Sequence, residues 1–156
     1  MVSLPSRAGP AGAIDLGRKL APLADPAQGG ALLLGSGGMV HNLGALDWSG
    51  RSAPPGWAVE FEQWARERLV EVDLGGLAEY RTRAPEAARA HPTAEHFLPL
   101  LFAAAAAAAA AAPAVSGPAG TAGPAANAVI GRVPTVRFPI SGFELGWLSR
   151  TAVEFG

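Results

Sequence analysis

Ten consecutive alanines, residues 103–112, run directly into a Gly/Pro tract, PAVSGPAGTAGPAANA over 113–128, and this pair constrains the chain more than any other feature. Alanine has the highest helix propensity, so the run predicts a helix, yet it offers no face of large side chains to bury. The tract behind it cannot bury enough apolar surface to offset its ordering entropy and is expected to be mobile. Residues 103–128 therefore read as a low-complexity insertion, with the ordered structure expected on either side.

A length of 156 residues implies one domain. The absence of cysteine excludes a disulfide scaffold, thiolate metal sites and thiol enzymes. Twelve basic against 13 acidic side chains, with no cationic cluster, argue against nucleic acid as a partner. The longest apolar stretch, residues 98–112, is mostly alanine and contains Pro99, too short and too weakly hydrophobic for a membrane span. No charged n-region followed by a long apolar h-region opens the chain, so a cytoplasmic protein is expected.

Residues 14–23 (IDLGRKLAPL) place Ile14, Leu16, Leu20 and Leu23 near helical spacing, with Pro22 closing the segment. After the turn signal ADPAQGG, the apolar run 31–34 stops at Gly35-Ser36-Gly37-Gly38, the pattern of a strand buried on both faces of a parallel sheet. Over 57–72, Trp57, Phe61, Trp64, Ala65 and Val72 fall on one side and Glu60, Gln63, Glu67 and Glu71 on the other, with Glu62 four residues before Arg66. This is the surest helix. Residues 133–140 and 143–155 read as strand-like and Gly/Pro-punctuated.

Three histidines carry most of the available chemistry. His41 follows the strand and glycine loop in LLLGSGGMVHN, at the carboxyl end of a strand, where open α/β sheets bind ligands. In HPTAEHFLPLL, Pro99 marks the first turn of a helix, so His96 hangs at its positive end, where a neutral, ligating imidazole is favoured. The alternative is that His96 packs against Phe97 and Phe102. His91 is expected at the surface. The loop GSGG fits neither G-x-G-x-x-G nor a nucleophile elbow around Ser36, which leaves nucleotide binding and serine hydrolysis as minor readings.

Three segments taken together, GSGGMVHNLGALDW (35–48), HPTAEHFLPLLFA (91–103) and FELGWLSRTAVEFG (143–156), resemble the class III extradiol ring-cleavage dioxygenases, with the DOPA dioxygenase type the nearest match. GRKLAPL and PPGWAVEFEQW fit the same pattern, and the similarity covers nearly the whole chain except 103–132. The resemblance implies an α/β fold, helices covering a mainly parallel sheet, with one divalent metal ion, Fe2+ or Zn2+, and a catechol-type aromatic substrate opened by O2. It implies that His41, in S-G-x-x-x-H-N, is the catalytic residue, and that His41 and His96, in P-T-x-E-H-[FY]-L-P-L, belong to the metal site. His91 is not a ligand in that pattern.

Departures from the family pattern shape the expectation. The G-H-G-[SA]-P segment with two further active-site histidines is absent, and Met1-Val2-Ser3-Leu4 looks like the middle of the family's chain, so residues 1–156 look like its C-terminal portion. Dioxygen-activating iron needs about three protein ligands, against two histidines here, and Asp47 or Glu95 would have to be recruited to make up the number. A chain in this state is expected to be inactive alone, or a non-catalytic remnant or partner-dependent subunit associating through an exposed sheet edge. Trp147 stands where the family has a small residue and Arg150 where it has methionine.

Overall fold

The structure, a computed structural model, describes residues 3–4, 6–28, 30–112 and 132–156. The expectation of mobility for 113–128 lies outside them. Helix α1 is Gly9–Leu20, entered through Gly9 at φ +59 with a proline in its first turn. It thus begins five residues ahead of the sequence reading, and Pro22 falls in a 3-10 turn, Ala21–Ala24. The long helix α2 spans Gly56–Val70 and buries Trp57, Ala58, Phe61, Glu62, Ala65 and Leu69. Three short helices follow, α3 Leu74–Ala78, α4 Tyr80–Arg83 and α5 Ala87–Ala90, the first capped by the Asp73 carboxylate accepting the Gly76 N–H at 2.7 Å.

Helix α6, Leu98–Ala111, carries the alanine run. Its small side chains bury little area each, and they compensate by letting α1 approach closely. A Cβ on Gly17 would lie 2.2 Å from the Phe102 carbonyl oxygen. Ala13, Ala104 and Ala105 are buried in the core beside Ile14 and Leu101. At such a crossing the dispersion contacts come from backbone as much as from side chains.

The expected mainly parallel sheet is not present among the described residues. What forms instead is an α-rich body with two small antiparallel pairs, β1 Val136–Ile140 with β4 Ala152–Phe155 and β2 Phe143–Glu144 with β3 Leu148–Ser149. In the first pair Val136 faces Phe155 and Arg137 faces Glu154, and the register breaks before Ile140, where Pro139 has no N–H to give the ladder. Arg66 anchors this C-terminal arm to α2, reaching Glu62 at 2.8 Å, Ser141 at 2.7 Å and Thr151 at 3.0 Å.

Residues 31–34 correct the sequence reading directly. They form no strand among the described residues, and Leu32 and Leu34 are 88% and 81% exposed. The physical reason lies in their neighbours. One face of the segment rests on the start of α6, where a Cβ on Gly35 would lie 2.4 Å from the Pro99 carbonyl oxygen. Among the described residues, no strand pairs with its edges and no helix covers its opposite face. A half-open cavity of about 400 Å³ lies beside it, floored by Leu100, Ala103, Ala106 and Ala107 and walled by Val153 and Phe155.

Candidate active site

The chain changes character at Gly37. A Cβ there would stand 2.3 Å from the His96 carbonyl oxygen, so only glycine lets the backbone lie against the turn that precedes α6. From this point the segment is held bond by bond. The Gly38 N–H donates to the His96 carbonyl at 2.9 Å and the His41 N–H to the Ala90 carbonyl at 3.0 Å. The His91 Nε2–H donates to the Met39 carbonyl at 2.8 Å, and the Asn42 side chain donates to the Arg89 carbonyl at 2.7 Å. On the far side the Ser149 N–H reaches the Val40 carbonyl at 3.2 Å. Met39 and Val40 are buried as a result.

The outcome is that His41 and His96, far apart in sequence, stack ring on ring, centroids 3.5 Å apart and planes 17° from parallel. Both are half-buried. His96 sits just before α6, as the position of Pro99 predicts. Burial, and then the adjacent His96, push the His41 pKa below its ordinary value, against a weaker opposing pull from Glu95. The Glu95 carboxyl is itself held below its usual range, chiefly by the Thr93 hydroxyl donating to it at 2.7 Å.

His91 overturns its expected surface position. It is fully buried, with ring contacts to Phe61 at 5.4 Å, Tyr80 at 6.1 Å and Phe97 at 5.0 Å between centroids. Burial pushes its pKa down to about 4. A signal existed: Ala87, Ala90 and His91 recur at helical spacing, and both alanines are buried with it.

Asp47 is occupied elsewhere. Its carboxylate accepts from the Ser49 N–H at 2.8 Å, the Ser49 hydroxyl at 2.6 Å and the Ser52 N–H at 2.9 Å, bonds that hold its pKa well below the ordinary range and shape the loop after His41. The Asp47 N–H in turn donates to the Leu145 carbonyl at 3.0 Å, which brings the Gly146–Trp147 turn against this loop. Trp147 tilts against Trp57 at 6.1 Å, and Arg89 lies over Trp57 at 4.7 Å, so an aromatic and cationic wall stands next to Asn42. Ser36 is exposed, and no hydrogen bond ties it to a histidine among the described residues.

The donor set does not by itself fit a dioxygen-activating metal. Among the described residues no group of three or more His, Cys, Asp or Glu is placed to hold an ion. His41 and His96 supply two imidazoles to one place, one donor fewer than about three. No described helix is long and apolar enough to cross a membrane.

Residues 3–123 match the family described as the catalytic LigB subunit of aromatic ring-opening dioxygenase. The chain is 31% identical over 145 residues to the 4,5-DOPA dioxygenase extradiol of Escherichia coli K12, covering 91% of this chain and 44% of that protein. With the 4,5-DOPA dioxygenase extradiol of Portulaca grandiflora it shares 44% identity over 94 residues, 59% of this chain and 33% of the relative. The crystal structure of the uncharacterized protein JW3007 from E. coli K12 superposes with a TM-score of 0.73 at 29% identity, over 99% of this chain and 53% of that one. The chain thus spans about half the length, or less, of the relatives it matches. It belongs to the LigB family of extradiol aromatic ring-opening dioxygenases.

Proposed function

We propose that this chain supplies the His41–His96 part of the active site of a metal-dependent extradiol dioxygenase, which opens a catechol-type ring with O2. The stack of His41 on His96 carries the reading, because hydrogen bonds from two separate segments are committed to holding these two rings together. In this reading His41 accepts a proton from a catechol hydroxyl. An imidazole held below its ordinary pKa is uncharged at neutral pH and free to accept. His96 is the metal-site residue, for Fe2+ or Zn2+, with His41 beside it. The remaining donors, and the strands of a parallel sheet around 31–34, come from outside the described residues.

Grafting this chain into the E. coli relative in place of its matching segment tests the reading. We expect the chimera to consume O2 with catechols, and His41→Gln or His96→Gln to lower the rate about 100-fold or more. A chimera as active with His41→Gln as without it defeats the assignment. The chain alone is expected to be inactive, and stoichiometric iron with catechol-dependent O2 uptake by the chain alone would overturn the two-donor argument.

The exposed Leu32 and Leu34 favour a second reading, a subunit that works only when a partner covers the unpaired segment at 31–34. Sedimentation velocity decides between a monomer and an association that Leu32→Lys with Leu34→Lys abolishes.

A further inference from the structure

We infer that His91 is the positioning residue that holds His41 against His96, through the carbonyl of Met39 rather than through contact with either ring. The inference rests on the reading of His41 and His96 as the working pair, but its test reads geometry and tautomer, so either can fail without the other.

The Met39 carbonyl oxygen carries no hydrogen. It only accepts, so the 2.8 Å contact fixes the hydrogen of His91 on Nε2. Nδ1 is then the bare nitrogen, and it is buried with no hydrogen-bond partner among the described residues. Such a ring is neutral and locked in one tautomer, and its pKa of about 4 keeps it so throughout the neutral range. His91 is therefore a permanent single donor.

Its target is well placed. Met39 lies two residues before His41, and the flanking bonds, Gly38 N–H to the His96 carbonyl and His41 N–H to the Ala90 carbonyl, are backbone bonds available to almost any sequence. The bond from His91 lies between them and is the side-chain rung of the ladder. It springs from the core itself, since the ring is wedged among Phe61, Tyr80 and Phe97, and Phe97 is the residue directly after His96. One side chain thus spans the aromatic core, the backbone leading to His41 and the turn carrying His96. A residue needed only for packing would be served there by phenylalanine, without a polar atom left unpaired.

The experiment uses the full chain and two variants. His91→Phe keeps the ring and removes the donor; in His91→Gln the side-chain amide can replace Nε2–H. Amide exchange at His41 and Gly38 is compared with exchange in α2 and α6, and ring-current shifts report the stack. We expect His91→Phe to lower protection at His41 and Gly38 about tenfold relative to the helices and to move the His41 and His96 ring protons away from their stacked shifts, with His91→Gln restoring both. Unchanged shifts and protection in His91→Phe, or an equal loss across α2 and α6, overturn the inference. If His91→Phe does not fold, nitrogen-15 spectra of the wild-type imidazole decide: a slowly exchanging Nε2–H upholds the inference, and an Nδ1–H tautomer or a freely exchanging Nε2–H defeats it.

Discussion

Residues 31–34 and 38–41 belong to one continuous apolar and glycine-rich stretch, yet they end in opposite conditions. The first is in no strand among the described residues and is exposed at Leu32 and Leu34, while the second is buried at Met39 and Val40 and hydrogen-bonded along its backbone. Local sequence does not separate them. The difference is that residues 89–96 hold the second with several hydrogen bonds, whereas the first rests one face on the start of α6 and is tied by the Ala31 N–H to the Leu23 carbonyl at 2.8 Å. Burial of an apolar segment is a property of its neighbours, and the histidine pair is built where the neighbours exist.

The largest effect is expected in the aromatic core under residues 38–41. Phe61 is fully buried against Tyr80, His91 and Phe97, so Phe61→Ala is expected to cost about 4 kcal/mol by urea denaturation. It should also loosen 38–41 while leaving exchange at 31–34 unchanged, since the backbone bond there, Ala31 N–H to the Leu23 carbonyl at 2.8 Å, involves none of these aromatic residues.

Acid gives the next largest effect. The folded pKa of His91, about 4, lies below its ordinary 6.5, so the unfolded chain binds the proton first. The stability held at pH 7 is therefore lost as pH falls from about 6.5 towards about 4, by roughly 3 kcal/mol in all. Urea midpoints between pH 7 and 4.5 should show this slope in the wild type and a shallower one in His91→Gln. An equal slope in both would place the acid sensitivity elsewhere.

Gly37 marks the border between the two conditions. Gly37→Ala drives a Cβ into the His96 carbonyl and is expected to cost about 1–3 kcal/mol, with the His41–His96 stack opening. Smallest of all, Leu32→Lys with Leu34→Lys should change stability by less than about 0.5 kcal/mol while raising solubility, because these side chains make no buried contact to lose. A large loss of stability would mean that the segment is covered in solution.

Much of this was legible along the chain. The helix at 56–70 follows from its apolar spacing, the Glu62–Arg66 pair from its i,i+4 order, and the start of α6 from Pro99. The three family segments carry His41 and His96, and the two rings do come together. What was not legible was burial. His91 after Arg89 and Ala90 reads as surface, and the alanine run reads as a helix with nothing to bury, until Gly17 brings α1 against it.

The sequence by itself determined the long helix around 57–70, the helix that starts near Pro99, and which two histidines belong to a family pattern, because helix propensity and prolines act within a few residues. Only the tertiary structure decided that 31–34 is exposed while 38–41 is buried, that the rings of His41 and His96 lie face to face, and that His91 points into the core at a carbonyl. Those outcomes depend on which distant backbone lies alongside, and hydrogen-bond partners and desolvation are set by three-dimensional neighbours rather than by position in the chain.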